Sequence, residues 1–153
     1  SLERYDPSTN EWEEEAVAPM PTARREAGLA VHDGKLYAVG GQDEASYATS
    51  SVERYDLATK AWEEVTPMAT THEGHAVAVL DGKLYAVGGW NYVDGEQGSV
   101  ERYDPATNAW EAVAPMAVER SRPGVAVLDG KLYPVGGNDD DGYFLSSVER
   151  YDP

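Results

Sequence analysis

The sequence predicts an all-β repeat protein whose units are small up-and-down sheets. Three observations carry this. The 153-residue chain repeats every 48 residues: Gly40-Gly41, Gly88-Gly89 and Gly136-Gly137 are 48 apart, as are Met20, Met68 and Met116. Each repeat holds two short, β-branched apolar runs joined by Asp-Gly, a strong hairpin signal. No useful length of sequence has helical periodicity. Such a period means stacked or radially arranged units, each too small to bury its own core. Tyr5, Tyr55, Tyr103 and Tyr151 are spaced 50, 48 and 48, and Trp12, Trp62 and Trp110 are spaced 50 and 48. The irregularity is a two-residue insertion in the run Glu13-Glu14-Glu15.

The elements follow in order within one unit, residues 72–116. Ala76-Val77-Ala78-Val79-Leu80 reads as a strand, Asp81-Gly82 as a type I′ turn, and Lys83-Leu84-Tyr85-Ala86-Val87 as the second strand, ended by Gly88-Gly89. Both strands are almost continuously apolar, the mark of strands covered on both faces. Residues 99–103 form a third strand with Val100 and Tyr103 apolar and Glu101-Arg102 charged. Asp104-Pro105-Ala106-Thr107-Asn108 is turn chemistry. Residues 109–113 form a fourth, outer strand carrying Trp110, and Pro115 ends it.

Composition narrows the function classes. A net charge of -16 speaks against nucleic acid and anionic membrane as partners, since both need a basic face. It keeps a repeat protein soluble and permits a basic partner. With no cysteine there is no disulfide framework, thiolate nucleophile or cysteine metal site. That fits a reducing compartment, so a cytoplasmic location is expected of a natural chain. No apolar run approaches the ~18 residues of a membrane span, and no signal peptide is seen. The chain starts at Ser1 in mid-repeat and reads as an excised, processed or designed segment.

The motifs Asp-Gly-Lys-Leu-Tyr-(Ala/Pro)-Val-Gly-Gly, Val-Glu-Arg-Tyr-Asp, a following Trp and Pro-Met occur three times and cover the chain. In these the sequence resembles the kelch repeat. The resemblance implies a kelch-type β-propeller of four-stranded blades. It also implies that the paired glycines let neighbouring blades approach, and that the repeated Tyr and Trp pack between blades. Departures are few: Pro134 stands where Ala38 and Ala86 stand, and His72 where Arg24 and Arg120 stand.

Propellers typically carry 4 to 8 blades, and this chain offers three. An open half-ring would expose two apolar blade faces. A homodimer closing a six-bladed ring with twofold symmetry is expected, or half of a longer chain. The blades run 24–68, 72–116 and 120–153, the last completed by an outer strand from about 10–17 of a partner chain, a reciprocal strand exchange. Ser-Leu-Glu-Arg-Tyr-Asp-Pro at 1–7 nearly duplicates Ser-Val-Glu-Arg-Tyr-Asp-Pro at 147–153. Both copies suit the same third-strand slot, so one is expected to occupy it and the other to be displaced or frayed.

Loops on a rigid scaffold are where binding residues concentrate. The Asp-Gly turns barely vary, while the loops after the double glycines and between blades differ at almost every position. Kelch propellers that recruit substrates to ubiquitin ligases hold peptides on that variable face, and the resemblance carries this expectation to Arg24, Glu26, His72, Arg120 and Arg122 between blades and to Gln42, Trp90 and Asn138 after the glycines. Glu26 and Gly74 stand where contact arginines would, so specificity for acidic peptides does not transfer. Arg24 and Arg120 also suit a purely structural role, bonding loop carbonyls. Trp90 and Tyr92 are aromatic anchors of the kind binding hot spots use. His75, in the same loop, is also expected on the binding face; His72 and His75 are three apart and could chelate, but zinc needs more ligands. Asn138-Asp139-Asp140-Asp141-Gly142 lacks the closing Glu and the flanking helices of an EF-hand and reads as a solvated turn. No metal site and no cofactor is expected.

There is no Gly-x-Ser-x-Gly, P-loop or His-Glu-x-x-His motif. Copper radical oxidase chemistry on this fold needs a cysteine the chain lacks. The leading expectation is a non-enzymatic scaffold whose loop face binds peptide or protein. An engineered or consensus propeller without a ligand is the second reading. A carbohydrate-active propeller, similar to sialic acid isomerising proteins, is the third.

Overall fold

The computed structural model describes residues 4–13 and 18–153. The Asp-Gly pairs make the turns their chemistry requires: Asp33 and Gly34 take φ of 48° and 68°, and Asp81 and Gly82 take 50° and 74°, the doubly left-handed type I′ geometry. Around these turns the strands are β1 (Arg4–Asp6), β2 (Glu11–Glu13), β3 (Gly28–His32), β4 (Lys35–Val39), β5 (Val52–Asp56), β6 (Ala61–Val65), β7 (Ala76–Leu80) and β8 (Lys83–Val87). They continue with β9 (Trp90–Asn91), β10 (Gly95–Glu96), β11 (Val100–Asp104), β12 (Ala109–Val113), β13 (Gly124–Leu128) and β14 (Lys131–Val135).

β3-β4-β5-β6 and β7-β8-β11-β12 are four-stranded antiparallel meanders, each a blade. β13 and β14 begin a third blade, and residues 148 and 151 bridge to Val135 and Leu132 in its third-strand position. The inner strand β7 packs between β3 and β13, which sets the blades side by side about a common inner edge. The short β9-β10 hairpin inside the second blade's loop was not foreseen.

The core lies between blades. Tyr37, Val39, Val52, Met68, Leu84 and Tyr103 form one buried cluster. Each blade grips the next through its double glycine: Gly41 N–H donates to the His72 carbonyl at 2.8 Å and Gly89 N–H to the Arg120 carbonyl at 2.9 Å. A Cβ on Gly88 would lie 2.5 Å from the Arg120 carbonyl oxygen, which no side chain tolerates. The outer strands are tied back to the preceding unit, Trp110 Nε1 donating to the Thr66 carbonyl at 2.9 Å and Trp62 Nε1 to that of Ala18 at 2.7 Å.

At the ends, the copy at 147–153 lies on β14, as the bridges show. The N-terminal copy is not frayed over its described part. Arg4–Asp6 pairs with β2 in the register Tyr5↔Trp12, matching Tyr55↔Trp62 and Tyr103↔Trp110. Its own fourth strand is a few residues away, so a local hairpin forms with little loop-closure cost. Residues 1–3, and residues 14–17 of the expected outer strand at about 10–17, lie outside the described residues.

Candidate functional site

Each interblade loop is stitched to the loop after its double glycine by a two-residue bridge: Arg25↔Gln42, Glu73↔Trp90 and Ser121↔Asn138. Both variable loop sets therefore share one face. Just after the bridging residue each interblade loop places one residue at positive φ, 52° at Glu26, 59° at Gly74 and 50° at Arg122. These three link in series, Gly74 N–H donating to the Glu26 carbonyl at 3.1 Å and Arg122 N–H to the Gly74 carbonyl at 2.6 Å.

Three of the expected contact residues point into the protein. The Arg24 side chain is fully buried. It donates to the carbonyls of Gly40 (2.8 Å) and Ser51 (3.0 Å) and pairs with Glu53 at 3.2 Å. Arg120 repeats this set with Gly136 (2.9 Å), Ser147 (3.2 Å) and Glu149 (2.8 Å). His72 takes the same place in the middle blade, its Nε2 lying 3.3 Å from Glu101. The glutamates complete the staple by accepting from loop main chain: Glu101 from Ala69 (2.8 Å) and Thr70 (3.0 Å), and Glu149 from Ala117 (2.7 Å) and Val118 (3.0 Å). Burial alone would raise the Glu101 pKa, but hydrogen bonds from His72, Thr70 and Ala69 outweigh it and hold the carboxyl at about 2. For Arg24 and Arg120 the structural role is the one the geometry displays. Sequence reasoning missed the glutamates. The available signal was one acidic residue recurring in the third strand of every blade, 29 residues after positions 24, 72 and 120.

His75 is also internal, at 6% exposure. A Cβ on Gly28 would meet its Nε2 at 2.8 Å and one on Gly40 its Cε1 at 2.8 Å, so the ring fills space that glycines of the first blade leave. Burial, and next the neighbouring His72, press its pKa down to about 3. The two rings lie 5.8 Å apart, and among the described residues no group of three or more His, Asp or Glu converges as a metal would need. Asn138 is half-buried on its bridge to Ser121 and does not line the central cleft. Asp139 accepts from the Tyr143 N–H at 2.8 Å within a local turn.

The remaining candidates converge. Glu26, Gln42, Trp90, Tyr92 and Arg122 line one open cleft, joined there by Glu73 and Glu96, which the sequence did not single out. Arg122 donates twice to Glu26, at 3.0 and 3.1 Å. Gln42 donates to Glu73 at 2.9 Å and is itself bonded by Arg25. Trp90 and Tyr92 pack edge to face at 4.7 Å, and Tyr47 lies 6.4 Å from Tyr92, which is 71% exposed. Burial, then repulsion from Glu26, raises the Glu73 pKa; burial, then the neighbouring Asp140, raises that of Glu96. The cleft is thus an acidic hollow rimmed by aromatic rings, its one lining guanidinium already neutralised.

A family model described as the KLHDC2/KLHL20/DRC7 Kelch-repeats domain matches residues 1–137. The chain belongs to the kelch-repeat family. Kelch-like protein 40 of Xenopus tropicalis is 40% identical over 62 residues, which is 40% of this chain and 10% of that protein. Kelch-like protein 35 of Mus musculus is 39% identical over 62 residues, again 40% and 10%. Kelch-like protein 23 of Homo sapiens is 40% identical over 67 residues, 41% and 11%. The chain therefore spans about a tenth of the length of these curated relatives. The solved structure of YjhT superposes with a TM-score of 0.80 at 20% identity, over 93% of this chain and 53% of that one. These matches, with the meander sheets, make the fold a kelch β-propeller.

Proposed function

We propose that this kelch module is a non-enzymatic binding scaffold that pairs with a second copy into a six-bladed ring and holds a cationic segment of a peptide or protein in the cleft of its loop face. The observation that carries the binding reading is the cleft itself: buried Glu73 and half-buried Glu96 gather beside the Trp90–Tyr92 pair. A lysine or arginine entering there would neutralise the carboxylates and lie against ring faces, both favourable for a desolvated cation. The overall charge of -16 adds long-range attraction. The pairing reading is supported by three blades with open edges, and by a structural neighbour whose chain is only 53% covered by this one.

Two measurements test this. Isothermal titration calorimetry measures binding of a lysine-alanine-tyrosine peptide and of its glutamate counterpart. The cationic peptide is expected to bind, more weakly at high salt, and Trp90→Ala to cost roughly thirty-fold in affinity, about 2 kcal/mol. Preference for the glutamate peptide would overturn the assignment. Native mass spectrometry at micromolar concentration is expected to show a species near twice 16.6 kDa; a monomer alone would overturn the pairing.

A further inference from the structure

The protein contains the same interblade cluster twice, displaced by one repeat. Tyr37, Val39, Val52, Met68, Leu84 and Tyr103 of the first become Tyr85, Val87, Val100, Met116, Leu132 and Tyr151 of the second. One member has no counterpart. Trp110 packs on the first cluster, its ring 5.1 Å from that of Tyr103. At the matching place on the second cluster there is a hollow lined by Ala114, Pro115, Met116, Leu132, Pro134 and Tyr151. Burial falls accordingly: Met68 and Tyr103 are 3% and 0% exposed, whereas Met116 and Tyr151 are only half-buried.

The hydrogen bonds show what would fill it. Thr66 is held from both sides by the second blade's outer turn and strand. Its N–H donates to Asn108 Oδ1 at 3.1 Å, and its carbonyl accepts from Trp110 Nε1 at 2.9 Å. One repeat after Thr66 stands Ala114, which is exposed. The matching pair of groups, Asn10 and Trp12, sits on the β1–β2 hairpin, with Trp12 67% exposed. This hairpin copies the one that holds Thr66. Tyr5 OH donates to Asn10 Oδ1 at 2.7 Å as Tyr103 OH does to Asn108 Oδ1 at 2.8 Å. Asn10 and Asn108 share the left-handed turn position, φ 59° and 52°, where the first blade has Lys60.

We infer that the hollow beside Ala114, Met116 and Leu132 is the seat for Trp12 of a second copy, whose own Tyr5 takes the place of Tyr151, with Trp12 Nε1 donating to the Ala114 carbonyl and the Ala114 N–H donating to Asn10 Oδ1. This rests on the pairing reading above and specifies its contact. The partner's hairpin docks whole, its β1 taking the slot beside β14 that residues 147–153 now fill. The two occupants differ at one position of seven, Leu2 against Val148, so the exchange itself is nearly neutral. The slot bonds its occupant through groups that either copy supplies, Gly136 N–H donating to the Ser147 carbonyl at 3.1 Å among them. Leu132 and Tyr151 exchange both main-chain bonds, at 3.1 and 2.9 Å. Two residues on, Glu149 donates to the Pro134 carbonyl at 3.2 Å, and proline has no N–H to return the bond. Only the incoming hairpin brings a fourth strand and the tryptophan, which is what favours exchange between identical chains.

Sedimentation equilibrium on the intact chain and four variants tests this. Trp12 is exposed in the single chain, so Trp12→Ala leaves its fold intact. It is expected to raise the dimer Kd roughly thirty-fold, the behaviour of a central aromatic anchor. Trp12→Phe, which keeps a ring but not the donor, is expected to raise it about five-fold. Tyr5→Ala weakens pairing, while Tyr151→Ala leaves it unchanged or tightens it, because residue 151 is the strand displaced. If the intact chain stays monomeric at every concentration, the pairing reading falls and this inference with it. If it dimerises but Trp12→Ala pairs equally well, the pairing stands and the seat is wrong. If Tyr151→Ala weakens pairing while Tyr5→Ala does not, the fourth strand adds outside residues 147–153 and the exchange is overturned.

Discussion

Mild acid attacks the contact between the first two blades through a single ring. His75 lies between them with a pKa near 3 against an ordinary 6.5, chiefly because it is buried. Unfolding releases it to its ordinary value. Between those limits the unfolded chain binds a proton that the folded chain refuses, so stability is complete above about pH 6.5 and falls as pH drops toward 3. At about 1.4 kcal/mol per pH unit once the unfolded imidazole is protonated, the loss from pH 7 to pH 5 is about 2 kcal/mol. That interval lies above the range, between about 4.5 and 2, in which the contribution of Glu101 changes with pH. The assay is urea unfolding of the intact chain and of His75→Ala at pH 7, 6 and 5. The variant takes the residue found at the equivalent position 27. It loses some stability throughout to the space left behind, but its stability is expected to be flatter across the interval by those 2 kcal/mol. Equal slopes in the two proteins would refute the argument, whatever the difference in absolute stability.

Two further outcomes concern the frame. Glu101→Gln removes the carboxylate that gathers Ala69, Thr70 and His72 and is expected to cost about 3 kcal/mol at pH 7. Because the folded pKa of Glu101 is lowered, its contribution exists above pH 4.5 and fades toward pH 2. The two proteins should therefore converge in acid by chemical denaturation. Gly89→Ala puts a Cβ 2.9 Å from the Glu73 carbonyl oxygen at φ +106°, and about 3 kcal/mol or more is expected. Gly82→Ala, at φ +74° with its nearest neighbour at 3.8 Å, costs only about 1 kcal/mol of turn strain. Similar midpoint shifts for the two alanines would contradict the close-approach account.

Much of the fold was legible because a period and a turn chemistry are local properties. The expected strands 76–80, 83–87 and 109–113 are those found, and the third is displaced by one residue to Val100–Asp104. What stayed hidden was long-range. Nothing in the run Val-Glu-Arg-Tyr-Asp says that its glutamate reaches back 29 residues to Arg24, His72 or Arg120. Hence those three could be read as loop-face residues when their side chains turn inward. His72 and His75 look alike in sequence, yet one is bonded to a carboxylate and the other fills glycine-made space. Trp90, Tyr92, Glu26, Gln42 and Arg122 were identifiable because they vary where the scaffold does not, and the structure brings them to one cleft. The β1–β2 hairpin was missed because two equal claims on one slot conceal a third arrangement, in which a claimant pairs with its own neighbour.

The buried staple has an evolutionary consequence. Each interblade loop is moored at its base by a glutamate from the third strand and by an arginine or histidine ahead of the first, both turned away from the open face. The hydrogen-bonded mooring sits before the left-handed residue that begins the next strand's approach. Glu26, Gly74 and Arg122, chemically unrelated, occupy one backbone conformation with φ between 50° and 59°. Shape is thereby decoupled from lettering: the exposed positions can be rewritten, acid for base for nothing, while the backbone that presents them keeps its course. A chain organised this way can acquire a new partner by substitution at its mouth without renegotiating its foundations.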